Sequence, residues 1–344
     1  MLLTRSALSF RCHPLASVSA RFYPAATAPS NSDAHTLSRT GSNGQRWAST
    51  TVYKFSVSQE HLDTVKDTLP LVAQAGTDFT KHFYKRLFTA NPELQNVFNQ
   101  TNQELGGQPK KLLKTVALAA QAAIEIGELP GEAIEGICQK HGALHIGKEA
   151  YDVVGAHLLG TIEDLLTTDP AVLSAWGALY GDIANVFITR EKEIAGEVTK
   201  IPGSWAGRRL FTLERKERMS SLVKRFRFRP VDGKSIPKFT PGKFTTIWVP
   251  LEEEGPYGNY TEQPRHYTLN LPRNPIENSG TMSISVKKDG LVSRILHTAE
   301  EGSQWELSSP HGCFDTAGVE ELWLTAPDAP VVFISAGIGI TPGT

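Results

Sequence analysis

The chain has 344 residues, and 35 Lys and Arg against 36 Asp and Glu give a formal charge of -1, so there is no basic footprint for nucleic acid. Three cysteines, Cys12, Cys138 and Cys313, lie far apart with no CxxC spacing, which argues against a disulfide framework or a zinc site and fits a reducing compartment. No run reaches the roughly 18 consecutive apolar residues of a membrane span, and at about 150 residues per domain the length allows two domains with small-molecule partners.

Residues 1–50 differ in texture from the rest. Arg5, Arg11, Arg21, Arg39 and Arg46 alternate with Ser, Thr and Ala, and Asp33 is the only acidic residue before Glu60. This is the composition of a mitochondrial transit peptide, ending near Arg46-Trp-Ala-Ser-Thr, and it predicts delivery to the mitochondrial matrix, with room for a cytoplasmic pool as well. A plain disordered leader has the same composition.

From 55 to 195 the apolar period is helical. Ser58 and Glu60 predict a helix start, and Pro70 is read as lying early in a second helix that carries Phe79, Phe83, Tyr84, Leu87 and Phe88. Asn91-Pro92 restarts the chain, and Phe98 follows in a turn-rich corner. A long helix opens at Gln108-Pro109 and places Gln108 and Leu112 on one face. After Leu129-Pro130-Gly131 comes a helix on which Ile134 and Ile137 put His141 on the apolar face. An imidazole there is either a core histidine satisfied by backbone or water, or a metal ligand. Helices from about Lys148, with Tyr151, and from Ala171 to Ile194, with Glu191, complete an all-α domain with no strand pattern.

Residues 196–206 read as a linker. Between 207 and 325 the period becomes 2, in short strands split by Pro and Gly turns, with one helical insertion at Leu291 to Thr298; this predicts a small antiparallel β-barrel. Pro330 to Ser335 is a continuous apolar strand of the kind buried in a parallel sheet, followed by Gly337-Ile-Gly-Ile-Thr-Pro342. Residues 329–344 are therefore read as the first strand and turn of an α/β domain that the chain cuts short.

This order, together with His82-Phe-Tyr-Lys-Arg-Leu-Phe, Asn91-Pro-Glu-Leu, Gln139-Lys-His and Arg265-His-Tyr-Thr-Leu, resembles the flavohaemoglobins, in which a globin is fused to a flavin reductase of the ferredoxin-reductase type. The similarity runs from Phe55 to Pro342. It implies haem b, FAD and NAD(P)H as cofactors, dioxygen and nitric oxide as substrates, a monomer, and nitric oxide dioxygenase activity. The resemblance makes His141 the proximal iron ligand, with Glu191 and Tyr151 behind its second ring nitrogen. It puts Tyr84, Gln108 and Leu112 on the distal side, Phe98 against the porphyrin and Lys140 at the haem edge. His145, four residues from His141, is read as no ligand.

In the barrel, the resemblance assigns Arg265, His266, Tyr267 and Thr268 to a flavin motif in which the guanidinium takes the pyrophosphate and the tyrosine ring packs on the isoalloxazine. Gly290, Val292 and Ser293 match a second flavin segment, where helix N–H groups receive phosphate. Phe244 stands where the family often has a tyrosine, which removes one polar contact to the flavin. Gly337, Ile338, Gly339, Ile340, Thr341 and Pro342 match the nicotinamide-binding turn. With the rest of that lobe missing, two other readings stay open: a haem-based oxygen or nitric oxide sensor with a vestigial reductase, and a flavin reductase serving other acceptors.

Overall fold

The computed structural model describes residues 51–98, 107–255, 258–271 and 280–314, together with 338, 339 and 341. A short strand, β1 (Val52–Lys54), pairs antiparallel with β2 (Glu128–Pro130), with Tyr53 opposite Leu129. The alternation is too brief to register as a strand in sequence, which is why this region reads there as purely helical.

Helix α1 (Gln59–Ala90) starts at Ser58, whose hydroxyl accepts from the His61 amide. It does not restart at Pro70. Pro70 lies inside the helix, and the backbone leaves helical geometry at Gly76, with φ 47°. That conformation is costly for any residue with a Cβ, so glycine rather than proline sets the change of direction. Beyond it Phe79, Phe83 and Leu87, four apart, and Tyr84 and Phe88, also four apart, are all buried.

A 3₁₀ turn (Pro92–Asn96) follows, then α2 (Gly107–Glu125), α3 (Gly131–Leu144), α4 (Lys148–Leu165) and α5 (Pro170–Lys200). Asp169 caps α5 by accepting from the Ala171 amide at 2.9 Å, and Pro170 fills the first helical position. Helix α5 runs six residues past Ile194, into the stretch read as linker. Val198 stays on the face that buries Ile194, and the lone Gly196 costs only about 1 kcal/mol. Length and apolar composition would let α5 cross a membrane, but here Trp176, Leu179, Ile183 and Phe187 face the core.

The barrel comprises β3 (Arg208–Arg218), β4 (Val223–Pro230), β5 (Phe244–Gly255), β6 (Gly258–Thr268), β7 (Met282–Lys287) and β8 (Gln304–Ser308), ordered β6-β5-β8-β3-β4-β7. A bridge from Leu269 to Ile284 and a 2.8 Å bond from the Asn270 amide to the Ser283 carbonyl bring the two edges together. Alternate residues fill the interior, among them Phe211, Leu213, Phe226, Phe228, Ile247, Val249, Met282 and Ile284. Helix α6 (Leu291–Thr298) matches the expected insertion and covers part of this core with Val292 and Leu296. The strand expected at Pro330 to Ser335 lies outside the described residues.

Helices and barrel meet at several points. Asn96 accepts from the Thr261 amide at 2.8 Å, and Gln263 donates to the Gln95 carbonyl at 2.8 Å. His145, left-handed at the end of α3, stacks on Trp248 at 5.5 Å, and the Arg208 guanidinium lies over the same indole at 4.3 Å. His145 is thus a contact between helices and barrel.

Candidate functional site

Three helices converge on His141. Its Nδ1 lies 2.8 Å from Glu191 Oε1 on α5 and 2.9 Å from the Tyr151 hydroxyl on α4, and that hydroxyl donates to the same Oε1 at 2.5 Å. Tyr180 locks α4 to α5 by donating to the Tyr151 carbonyl at 2.7 Å. A carboxylate can only accept, so the imidazole proton sits on Nδ1 and the Nε2 lone pair is left free. Among the described residues Nε2 has no protein partner, and the side chain is 32% exposed while Glu191 is 9% exposed. Burial and the Glu191 charge push the Tyr151 hydroxyl well above the usual tyrosine range, so it remains a donor. A nitrogen lone pair on a partly exposed ring and a carboxylate bonded to the other ring nitrogen form a donor set that fits haem iron.

Tyr84 is buried among rings: Phe83 at 4.9 Å, Phe88 at 5.5 Å and Phe98 at 5.7 Å, with Phe83 and Phe98 edge-on. Leu112 lines a small apolar cavity with Val72, Phe79, Phe83, Val116 and Trp176. Gln108 lies in the first turn of α2, and its side chain is outside the described residues. The structure thus brings His141, Tyr151 and Glu191 together, and separately joins Tyr84 to Phe98.

In the barrel, β5 and β6 pair Phe244 with Thr268, Thr245 with Tyr267, Thr246 with His266 and Ile247 with Arg265. Arg265 and Tyr267 share one face of β6, His266 and Thr268 the other. Arg265 Nη1 donates to the Pro264 carbonyl at 2.8 Å and to Gln263 Oε1 at 3.2 Å. Burial pushes the Tyr267 hydroxyl up to about 12. His266 Nδ1 lies 2.9 Å from the Thr246 hydroxyl, and its ring packs against Phe244 at 5.0 Å. Burial, followed by the positive charge of exposed Lys140, pulls His266 down to about 4, so it is a neutral ring.

Gly290 caps α6, and Ser293 is turned inward, accepting from the Asp289 amide and donating to the Gly290 carbonyl. Val292 belongs to the barrel core. Ile338, Gly339 and Thr341 form a single turn in which the Thr341 hydroxyl donates to the Ile338 carbonyl at 3.1 Å; Gly337, Ile340 and Pro342 lie outside the described residues.

Sequence reading missed a buried polar chain on the helix that carries His141. Arg190 binds Glu135 at 2.7 Å and reaches Glu193 and Glu197; Glu135 accepts from Gln139, and Gln139 accepts from the Gly312 amide of the barrel. The signal was present. Glu135 and Gln139, four apart, stand on the face of α3 that also buries Ile134 and Cys138, where polar side chains need partners.

A family model for globins matches residues 81–187. The flavohemoprotein of Halalkalibacterium halodurans is 36% identical over 298 residues, spanning 83% of this chain and 68% of that protein. A flavohemoglobin from Malassezia yamatoensis, whose crystal structure holds bound FAD and heme, superposes with a TM-score of 0.71 at 26% identity, over 83% of this chain and 72% of that one.

Proposed function

Because the chain belongs to the flavohaemoglobins, a globin followed by a reductase-type barrel, we propose that it is a nitric oxide dioxygenase using haem b, FAD and NAD(P)H. Bound haem would supply the iron on which dioxygen and nitric oxide react, and bound FAD would pass on the electrons of NAD(P)H. Each nitric oxide and dioxygen pair needs one electron to become nitrate, so one two-electron NAD(P)H serves two such pairs.

The observation that carries this reading is the trio at His141. Glu191 Oε1, 2.8 Å from Nδ1, accepts the ring proton and makes the ring a stronger donor through Nε2, which favours oxygen chemistry over simple storage. Tyr151 fixes the carboxylate by donating to it. Tyr84 presents a hydroxyl among apolar rings, where a hydrogen bond to a polar ligand gains strength from the dry surroundings. On β6, Arg265 and Tyr267 share the face assigned to the flavin, with a guanidinium for the pyrophosphate and a ring for the isoalloxazine. Gly290 opens α6 with free N–H groups of the kind that receive phosphate.

The test is NAD(P)H consumption by the haem- and FAD-loaded protein in air. Consumption that rises with added nitric oxide, with nitrate formed in step, supports the dioxygenase; NADH oxidation indifferent to nitric oxide contradicts it. The Arg-rich first 50 residues support import into the mitochondrial matrix. A fluorescent protein fused behind them that stayed cytoplasmic would overturn that part. The reading also treats the protein as a monomer, which light scattering of the loaded chain would test.

A further inference from the structure

A residue beyond the last barrel strand, Gly312, is clamped through both its amide and its carbonyl. The Gly312 amide donates to Gln139 Oε1 at 2.8 Å, and its carbonyl accepts from Lys243 Nζ. Gln139 is 1% exposed and stands two residues before His141 on α3. Its own amide donates to Glu135 at 2.8 Å, and Glu135 is held by Arg190 at 2.7 Å, so the acceptor oxygen has little freedom to move. On the barrel side, His311 and Phe244 exchange backbone bonds of 2.8 and 2.9 Å. Gly312 adopts φ 125°, and a Cβ there would come within 3.2 Å of the Phe244 ring. Phe244 in turn packs on His266 at 5.0 Å, on the opposite face of β6 from Arg265 and Tyr267, so Gly312 is tied to the flavin-side residues through the paired backbones of β5 and β6. A residue bonded on both sides and backed by that ring shifts together with those two strands.

We propose that Gln139 is a positioning residue: by accepting from the Gly312 amide it registers the β5–β6 face on the helix that carries His141, and so fixes the separation between flavin and haem. The inference rests on the function proposed above. A buried amide left without an acceptor costs about 1–3 kcal/mol. Without Gln139 the interface would reseat rather than leave that amide unpaired, and the two sites would shift together with it.

The experiment compares Gln139→Met, which removes the acceptor at similar size, with Gln139→Glu, which keeps an acceptor oxygen but sets a carboxylate beside Glu135. Two quantities are read: hydrogen exchange at the Gly312 amide, in the chain with and without cofactors, and the rate of electron transfer to haem. For the second, light with EDTA as donor reduces the flavin, and each electron it then loses converts one ferric haem to ferrous. Gln139→Met is expected to speed Gly312 exchange and slow transfer by roughly tenfold to a hundredfold, with the Soret and flavin spectra unchanged. Gln139→Glu is expected to stay near native in both, although its like-charge pair makes it the less stable protein.

Native exchange and transfer in Gln139→Met would overturn the proposal, and so would a Gln139→Glu protein as slow as Gln139→Met. A native chain that takes up no haem or no flavin would instead sink the function proposed above. The exchange measurement alone would then decide whether Gln139 holds Gly312.

Discussion

His141 meets its partners through side chains from three helices, whereas Arg265, on the strand assigned to the flavin, is bonded to its own strand. The first site is built from mutual bonds among protein side chains: the Glu191 carboxylate, the Tyr151 hydroxyl and the Nδ1 proton of His141 hold one another. At the second, the Arg265 guanidinium spends Nη1 on the Pro264 carbonyl and Gln263 Oε1, and its remaining donors would serve a ligand oxygen. A site assembled from mutual side-chain bonds responds to a single deletion, while a surface shaped for a cofactor spreads the loss over several contacts.

The sharpest way to break the helical half is Arg190→Met. It strands Glu135 in the interior without its cation, and the expected loss is about 3–5 kcal/mol of stability by denaturant titration. A loss under about 1 kcal/mol would mean the buried pair was not holding that region. Glu191→Gln comes next. The iron–histidine stretching frequency should fall and nitric oxide turnover drop by roughly tenfold to a hundredfold, with the fold intact; an unmoved frequency would remove the carboxylate from the account. No comparable single change is expected on β6, so Arg265→Lys should weaken FAD binding without abolishing it, as read by flavin fluorescence.

Acid probes the interface between the halves. His311 is buried and held at about 4, against 6.5 in the unfolded chain, and its folded form is therefore neutral where the unfolded form charges. Stability is full above about pH 6.5 and falls as pH drops toward 4, by up to about 1.4 kcal/mol per unit from this residue. His311→Asn should flatten that slope. The smallest effect belongs to Tyr84→Phe, which removes one hydroxyl worth about 1 kcal/mol and should raise the dioxygen off-rate several-fold in flash photolysis.

Much of this was legible because periodicity and motif agree. The apolar spacing around His141 placed its ring on an inward face, and the alternation after residue 207 announced the barrel. What escaped was tertiary. Gly76 gives no sign in sequence that it, and not Pro70, ends the first arm of α1, because both are weak helix residues and only packing chooses between them. The spacing of Glu135 and Gln139 on the buried face of α3 shows that they need partners but not which ones, since Arg190 and Gly312 lie far along the chain. Tyr84, Phe98 and Leu112 could be named only through family likeness, for nothing in their own spacing separates a distal pocket from a core.

The most direct measurement is the absorption spectrum of the haem- and FAD-loaded chain under argon, before and after NADH. The account predicts a Soret band together with flavin absorbance, and haem turning ferrous on NADH alone. A haem that stays ferric after NADH and yields only to dithionite would contradict it, and so would a Soret band unchanged in His141→Ala.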